Sequence, residues 1–311
     1  MQVIRLGTRG SRLALWQAEY VARELTSHLD GVDIQIVTIK TKGDKVLEVP
    51  LAQIGDKGLF TREIEDELLD GNIDMAVHSM KDLPSLLSEG LCLGAVMPRE
   101  DPRDVFISTR YQCLAALPDH AVIGTSSLRR TAQLKRLRPA VQLVSLRGNV
   151  ETRIRKMEEQ GLDGIILAYA GVKRLGFESY IKEIINAGDI LPAVGQGAIA
   201  VEVRADDEET LRRLATINDR NTWLETAAER AFLARLEGGC QVPIACWARR
   251  EEQRLKIDGL VASLDGSRMF KASAACDCDW DDARSEGKQL AERLLDMGAG
   301  RILDEIRLQG E

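Results

Sequence analysis

Seven arginines, at 129, 130, 136, 138, 147, 153 and 155, fall within 27 residues of a chain whose net charge is −7. Positive charge concentrated in one stretch of an acidic protein implies a local anionic partner. Arg129 and Arg130 end the string Gly-Thr-Ser-Ser-Leu-Arg-Arg (124–130). Where such a string opens a helix, free backbone N–H groups and the positive end of the helix dipole favour an anion. Ser126 and Ser127 add hydroxyl donors, and the two guanidinium groups can form forked bonds to carboxylate or phosphate. The same residues also read as a serine N-cap followed by solvated arginines. Arg147, in the strand-to-helix turn Ser-Leu-Arg-Gly-Asn (145–149), weakens that plainer reading. In the helix expected after it, Val150, Ile154 and Met157 mark the buried face, Arg153 flanks that stripe and Arg155 points away. Arg9 and Arg12 add charge from the N-terminal end. Neither GxxxxGK[ST] nor GxGxxG is present to support a nucleotide, so a small molecule with several carboxylates or phosphates is expected.

Two further residues could act on such a ligand. Asp82 closes His-Ser-Met-Lys-Asp (78–82) after an apolar strand. Beside Lys81 and near an arginine-rich cleft it could stay ionised, stabilise a cation or move a proton; it could equally be a turn-forming aspartate before Leu83-Pro84. Cys240 follows two glycines at a helix end, which strip away side-chain cover and present the thiol. A lone cysteine can also be a small buried hydrophobe, the reading given to Cys92, Cys113 and Cys246. With no evident histidine partner, Cys240 suits a covalent tether better than a turnover nucleophile.

Alternating strands and helices must position these groups. Strands are expected at Val3–Gly7, Val32–Ile39, Ile73–His78, Ala121–Gly124, Val141–Leu146 and Gly164–Ala168. Helices are expected over Ser11–Leu29, about Thr61–Leu69, from Ser127, and over Val150–Gln160. This alternation predicts α/β architecture with parallel sheets covered by helices. Gly-Thr-Arg-Gly-Ser-Arg (7–12) is echoed by Gly-Thr-Ser-Ser-Leu-Arg-Arg, each between a strand and a helix start, which suggests two similar halves with a cleft at their strand ends. Met97–Asp104, with two prolines and five charges, reads as a crossover. The segment 191–204 returns as loop and strand and could rejoin the first half. A helix near Asn221–Arg235 follows. The rest is a small α+β module of two strands joined by Leu264–Ser267, then a long helix from Asp281. Three domains are expected: 1–97 with 198–216, 103–192, and 220–311.

Bulk properties narrow the class. With 311 residues, 44% hydrophobic and 29% charged, the chain suits an ordinary globular protein of two or three cores. No apolar run is long enough to cross a bilayer, and the N-terminus reads as strand and helix rather than signal peptide. Six scattered cysteines suit reduced thiols in the cytoplasm. Cys276 and Cys278 are too close for a CxxC knuckle, and no metal is expected. Aromatics make up 4% and the arginine region has none, which argues against nucleic acid.

Six strings in order resemble the hydroxymethylbilane synthase family, also called porphobilinogen deaminases. They are TRGSRLALWQA (8–18), VHSMKDLP (77–84), GTSSLRR (124–130), SLRGNVETR (145–153), LPAVGQGA (191–198) and RLEGGCQVPI (235–244). The resemblance implies two type II periplasmic-binding-protein-like domains around a central cleft, plus a small C-terminal α+β domain. It implies condensation of four porphobilinogen units with loss of ammonia, on a dipyrromethane cofactor joined by a thioether to Cys240. Asp82 would lie near the pyrrole nitrogens, stabilise the positively charged azafulvene formed as ammonia leaves, and help move protons. Arg9, Ser127, Arg129, Arg130, Arg147 and Arg153 would bind acetate and propionate groups, with Ser79, Lys81 and Thr125 assisting. Lys57 matches the cleft loop, but Gln53 and Asp56 depart from the family's usual lysine and small residue. Cys276 and Cys278 match nothing in the family. The resemblance implies a monomer. Processive growth needs room, so movement about 98–104 and 191–198 is expected. The alternative from another class is a protein that captures an organic anion without catalysis.

Overall fold

The computed structural model describes residues 2–45, 61–238 and 242–310. The chain begins with β1 (Gln2–Arg9), α1 (Arg12–His28), β2 (Val32–Ile39) and the short α2 (Lys42–Lys45). It continues through α3 (Arg62–Leu69), β3 (Met75–Ser79) and β4 (Leu91–Val96), then passes to β5 (Asp104–Ile107) and β6 (Val122–Gly124). Next come α4 (Leu128–Leu137), β7 (Gln142–Val144), α5 (Val150–Glu159), β8 (Gly164–Ala168), α6 (Tyr169–Arg174) and β9 (Ile181–Ile184). The last part holds β10 (Ile199–Arg204), α7 (Glu208–Leu214), α8 (Arg220–Arg235), β11 (Ile244–Glu251), β12 (Arg254–Ala262), β13 (Met269–Asp277), α9 (Trp280–Leu294) and α10 (Gly300–Gly310).

The strands form three sheets. The first has the order β2-β1-β3-β10-β4, with β1 parallel to β2 and β3, and β10 antiparallel to β3 and β4. The second repeats the plan as β7-β6-β8-β5-β9, with β5 the antiparallel member. In each sheet the antiparallel strand is the one that arrives by a crossover. The fold is thus α/β, with two type II periplasmic-binding-protein-like halves, and the 7–12 and 124–130 echo falls at equivalent places. β1 and β6 occupy the same position, and each runs into a helix whose N-cap serine accepts a backbone N–H: Ser11 from Ala14 at 3.2 Å and Ser127 from Arg130 at 3.4 Å.

The antiparallel sheet β11-β12-β13 packs its apolar face on α8 and α9, around Phe232, Ile257, Leu290 and Leu294. Two features of this small α+β unit differ from the sequence reading. It has a further strand, β11, because a two-residue hairpin joins Glu251 to Arg254 with Glu252 at φ 55°. A glutamate in the left-handed region carries none of the Asn-Gly signal that announces such turns. The expected long C-terminal helix is broken at Gly298, at φ 109°, which separates α9 from α10.

Both crossovers and the third sheet meet at Glu229 of α8, which is fully buried. Its carboxylate accepts both terminal nitrogens of Arg99 from the first crossover, at 2.7 and 3.1 Å. It also accepts the backbone N–H of Gly195 in the second crossover at 2.6 Å and that of Ala248 in β11 at 2.8 Å. These donors offset the cost of burying the Glu229 carboxylate.

Candidate active site

Asp82 ends a single 3-10 turn, Met80–Asp82, at the carboxyl end of β3. Met80 and Leu83 are buried and hold the turn, which leaves Asp82 half-buried. With Arg9, Ser11, Gln17 and Ser79, Asp82 lines a small cavity over the ends of β1 and β3. Gln17, buried on α1, donates to the Ser79 hydroxyl at 2.9 Å, a polar contact that the sequence reading did not anticipate.

The second half supplies the guanidinium groups. Enclosure of Arg153, then the like charges of Arg130 and Arg147, push its pKa down to about 10, while Asp82 acts in the opposite sense. Arg130, Arg147, Arg153 and Asp82 therefore share one electrostatic neighbourhood between the two sheets, as the motifs suggested. Lys81 belongs to it as well. Enclosure lowers its pKa to about 8, with Arg130 and Arg129 adding to the effect and Asp82 and Asp104 opposing it. Arg155 lies on the surface and pairs with Glu159 one helical turn on.

Arg129 and Arg130 are both 5% exposed, and they share a carboxylate that the sequence did not single out. Asp104, fully buried at the start of β5, lies 2.8 Å from each. Burial favours the neutral acid, but the two guanidinium groups more than reverse that and hold the Asp104 carboxyl well below the usual range. Arg129 also donates to the carbonyl of Leu191 at 2.7 Å, and Arg130 to that of Ile166 at 2.9 Å. Gln196 of the second crossover donates to Asp104 at 2.8 Å. Thr125, buried at the end of β6, accepts the Ser127 N–H at 3.2 Å, so Ser127 both caps α4 and lies at the cleft end of β6. Cys240, Lys57, Gln53 and Asp56 lie outside the described residues.

The residues present fit an acidic pyrrole cofactor. Among the described residues, the Nε groups of Arg129 and Arg130 are buried without an acceptor, and Arg153 is crowded by like charge. Like-charged guanidinium groups gathered in one neighbourhood are completed by an anion.

A cleft between two α/β halves that gathers guanidinium groups near Asp82 is suited to a small polyanion. Residues 4–212 match the family model described as porphobilinogen deaminase, dipyromethane cofactor binding domain, and residues 223–296 match the porphobilinogen deaminase C-terminal domain. A porphobilinogen deaminase of Syntrophomonas wolfei is 58% identical over 99% of this chain and 100% of its own. That of Syntrophotalea carbinolica is 53% identical over 96% and 95% respectively. Among solved structures, the methionine binding protein MetQ is similar at a TM-score of 0.43 and 11% identity, covering 71% of this chain and 92% of its own. The chain belongs to the porphobilinogen deaminase family.

Proposed function

We propose that this chain is a hydroxymethylbilane synthase, a transferase of tetrapyrrole biosynthesis. It joins four porphobilinogen molecules head to tail with release of ammonia, then frees the linear product by hydrolysis. The observation that carries this reading is the meeting of Arg130, Arg147 and Arg153 with Asp82 across the cleft. Each porphobilinogen brings two carboxylates, and enclosed carboxylates require paired cations.

On this reading Cys240 holds the dipyrromethane through a thioether, and Ser79, Lys81, Asp82, Thr125, Ser127, Arg129, Arg130 and Arg147 surround it. When bound, that cofactor supplies the pyrrole carbon to which the next unit is joined. Arg9, Arg147, Arg153 and Lys57 bind the incoming substrate's carboxylates. Arg130 and Arg129 contribute with Asp104 as internal counter-ion, which keeps two adjacent cations folded before a ligand arrives. The Asp82 carboxylate stabilises the cation left on the substrate as ammonia departs and passes a proton at its own oxygens. Family models covering both parts of the chain, and relatives matched along nearly their whole length, support the activity. We further infer three domains, 1–97 with 198–216, 103–192 and 220–311, in a cytoplasmic monomer with no nucleic-acid partner.

Asp82→Asn tests the role of the carboxylate. The variant should keep the wild-type circular dichroism and melting temperature, yet lose about 100-fold or more in porphobilinogen turnover, the scale expected of a charge-stabilising and proton-moving group. Near-normal turnover would remove Asp82 from this role.

A further inference from the structure

The turn that carries Asp82 is gripped from behind by α8. Arg230, half-buried on that helix, donates one terminal nitrogen to the carbonyl of Ser85 at 3.0 Å and points the other at the Met80 sulfur, 3.9 Å away. These contacts bracket Asp82 on both sides in sequence. Trp223, seven residues earlier on the same face of α8, packs against the cluster that buries Met80 and Leu83. The second crossover presses on the same turn, because a Cβ on Gly195 would fall 2.4 Å from the Met80 side chain. Met80 is thus held between α8 and the crossover.

Beneath the turn lies a carboxylate that the reaction does not use. Glu202, on β10 beside the central strand of the first sheet, is fully buried, and neither of its oxygens accepts a hydrogen bond among the described residues. His78 approaches it to 3.1 Å. Enclosure lowers the pKa of the Arg230 guanidinium, and the charge of Glu202 counters that shift.

We propose that Arg230 is a positioning residue for the reaction. From α8 it fixes the Met80–Ser85 turn, and so the aim of the Asp82 carboxylate. The helix that ends just before the Gly-Gly-Cys motif thereby carries a direct grip on the proton-moving turn of the first sheet. This inference rests on the reading of Asp82 given above.

The test compares Arg230→Gln, Arg230→Lys and Asp82→Asn as full-length, cofactor-loaded proteins, each checked for its covalent adduct by intact mass. Arg230→Gln should carry the full adduct and lose about tenfold in kcat, with KM for porphobilinogen within about twofold, the pattern of a group that shapes only the reacting geometry. Arg230→Lys keeps the charge and a donor, and should recover kcat to within about threefold of wild type. Should Arg230→Gln fail to fold, Arg230→Met, which keeps the packed stem and removes the donors, should show the same loss in kcat. An inactive Asp82→Asn beside an Arg230→Gln with kcat within about twofold of wild type would overturn this inference alone. A KM that rises in proportion to the loss would also overturn it, since Arg230 would then be acting on substrate binding. An active Asp82→Asn would overturn the parent reading and this one with it.

Discussion

Lys81 sits beside Asp82 with a pKa lowered to about 8, first by enclosure and then by Arg130 and Arg129. An unfolded lysine titrates near 10.4, so between roughly pH 8 and 10 the native state binds fewer protons than the unfolded one. Stability must then rise with pH across that window, and the penalty of a charged, enclosed lysine is fully present only below about pH 8. Thermal melts of wild type and Lys81→Met from pH 7 to 10 should converge as the pH rises. A gap that stays constant across the window would show that Lys81 is not strained in this way. The motifs made Asp82, Lys81 and the arginine cluster legible, because residue type and spacing carried their chemistry. Asp104 was not legible. It is one of five charges in Met97–Asp104, and only the insertion of β5 between β8 and β9 brings it under two guanidinium groups far along the chain. Glu229 and Glu202 were hidden for the same reason: each lies in a regular element and acquires its role from elements remote in sequence.

The elements of the first two sheets were readable because apolar spacing and N-cap serines agree with the final structure. Strands β4, β5 and β9 went unread. They are short, and β5 and β9 flank each other without a local turn between them. In the third sheet the packing of α8 on α9 depends on one small residue. A Cβ at Gly287 would fall 2.2 Å from the backbone carbonyl of Ala228, and a backbone oxygen cannot yield as a side chain can. On helix propensity alone Gly287→Ala would stabilise by roughly 1 kcal/mol. The clash opposes this, because forcing extra volume into a packed interface costs about 1–3 kcal/mol. The expected outcome is a melting temperature several degrees lower, measured by calorimetry. A rise would mean that the two helices do not approach this closely.

For the whole molecule, the arrangement explains why charge and tether belong together. A growing acidic chain would diffuse away, or repel its next unit, unless it were both anchored and neutralised. The second sheet supplies most of the cations, the first supplies Asp82, and α8 of the third unit leads towards Cys240 while holding Asp82's turn. Both crossovers converge on Glu229 of that same helix. The similarity of the two halves was visible in the sequence as a short echo of Gly-Thr and arginine. Their facing placement needed the sheet order, which no local pattern encodes. The central claim is that guanidinium groups surround a pyrrole chain held by the sulfur of Cys240, and intact-protein mass spectrometry tests it most directly. Protein expressed with ample porphobilinogen should carry an added mass equal to two pyrrole units, absent from Cys240→Ser. A wild-type protein of unmodified mass, or a Cys240→Ser variant that still bears the adduct, would contradict it.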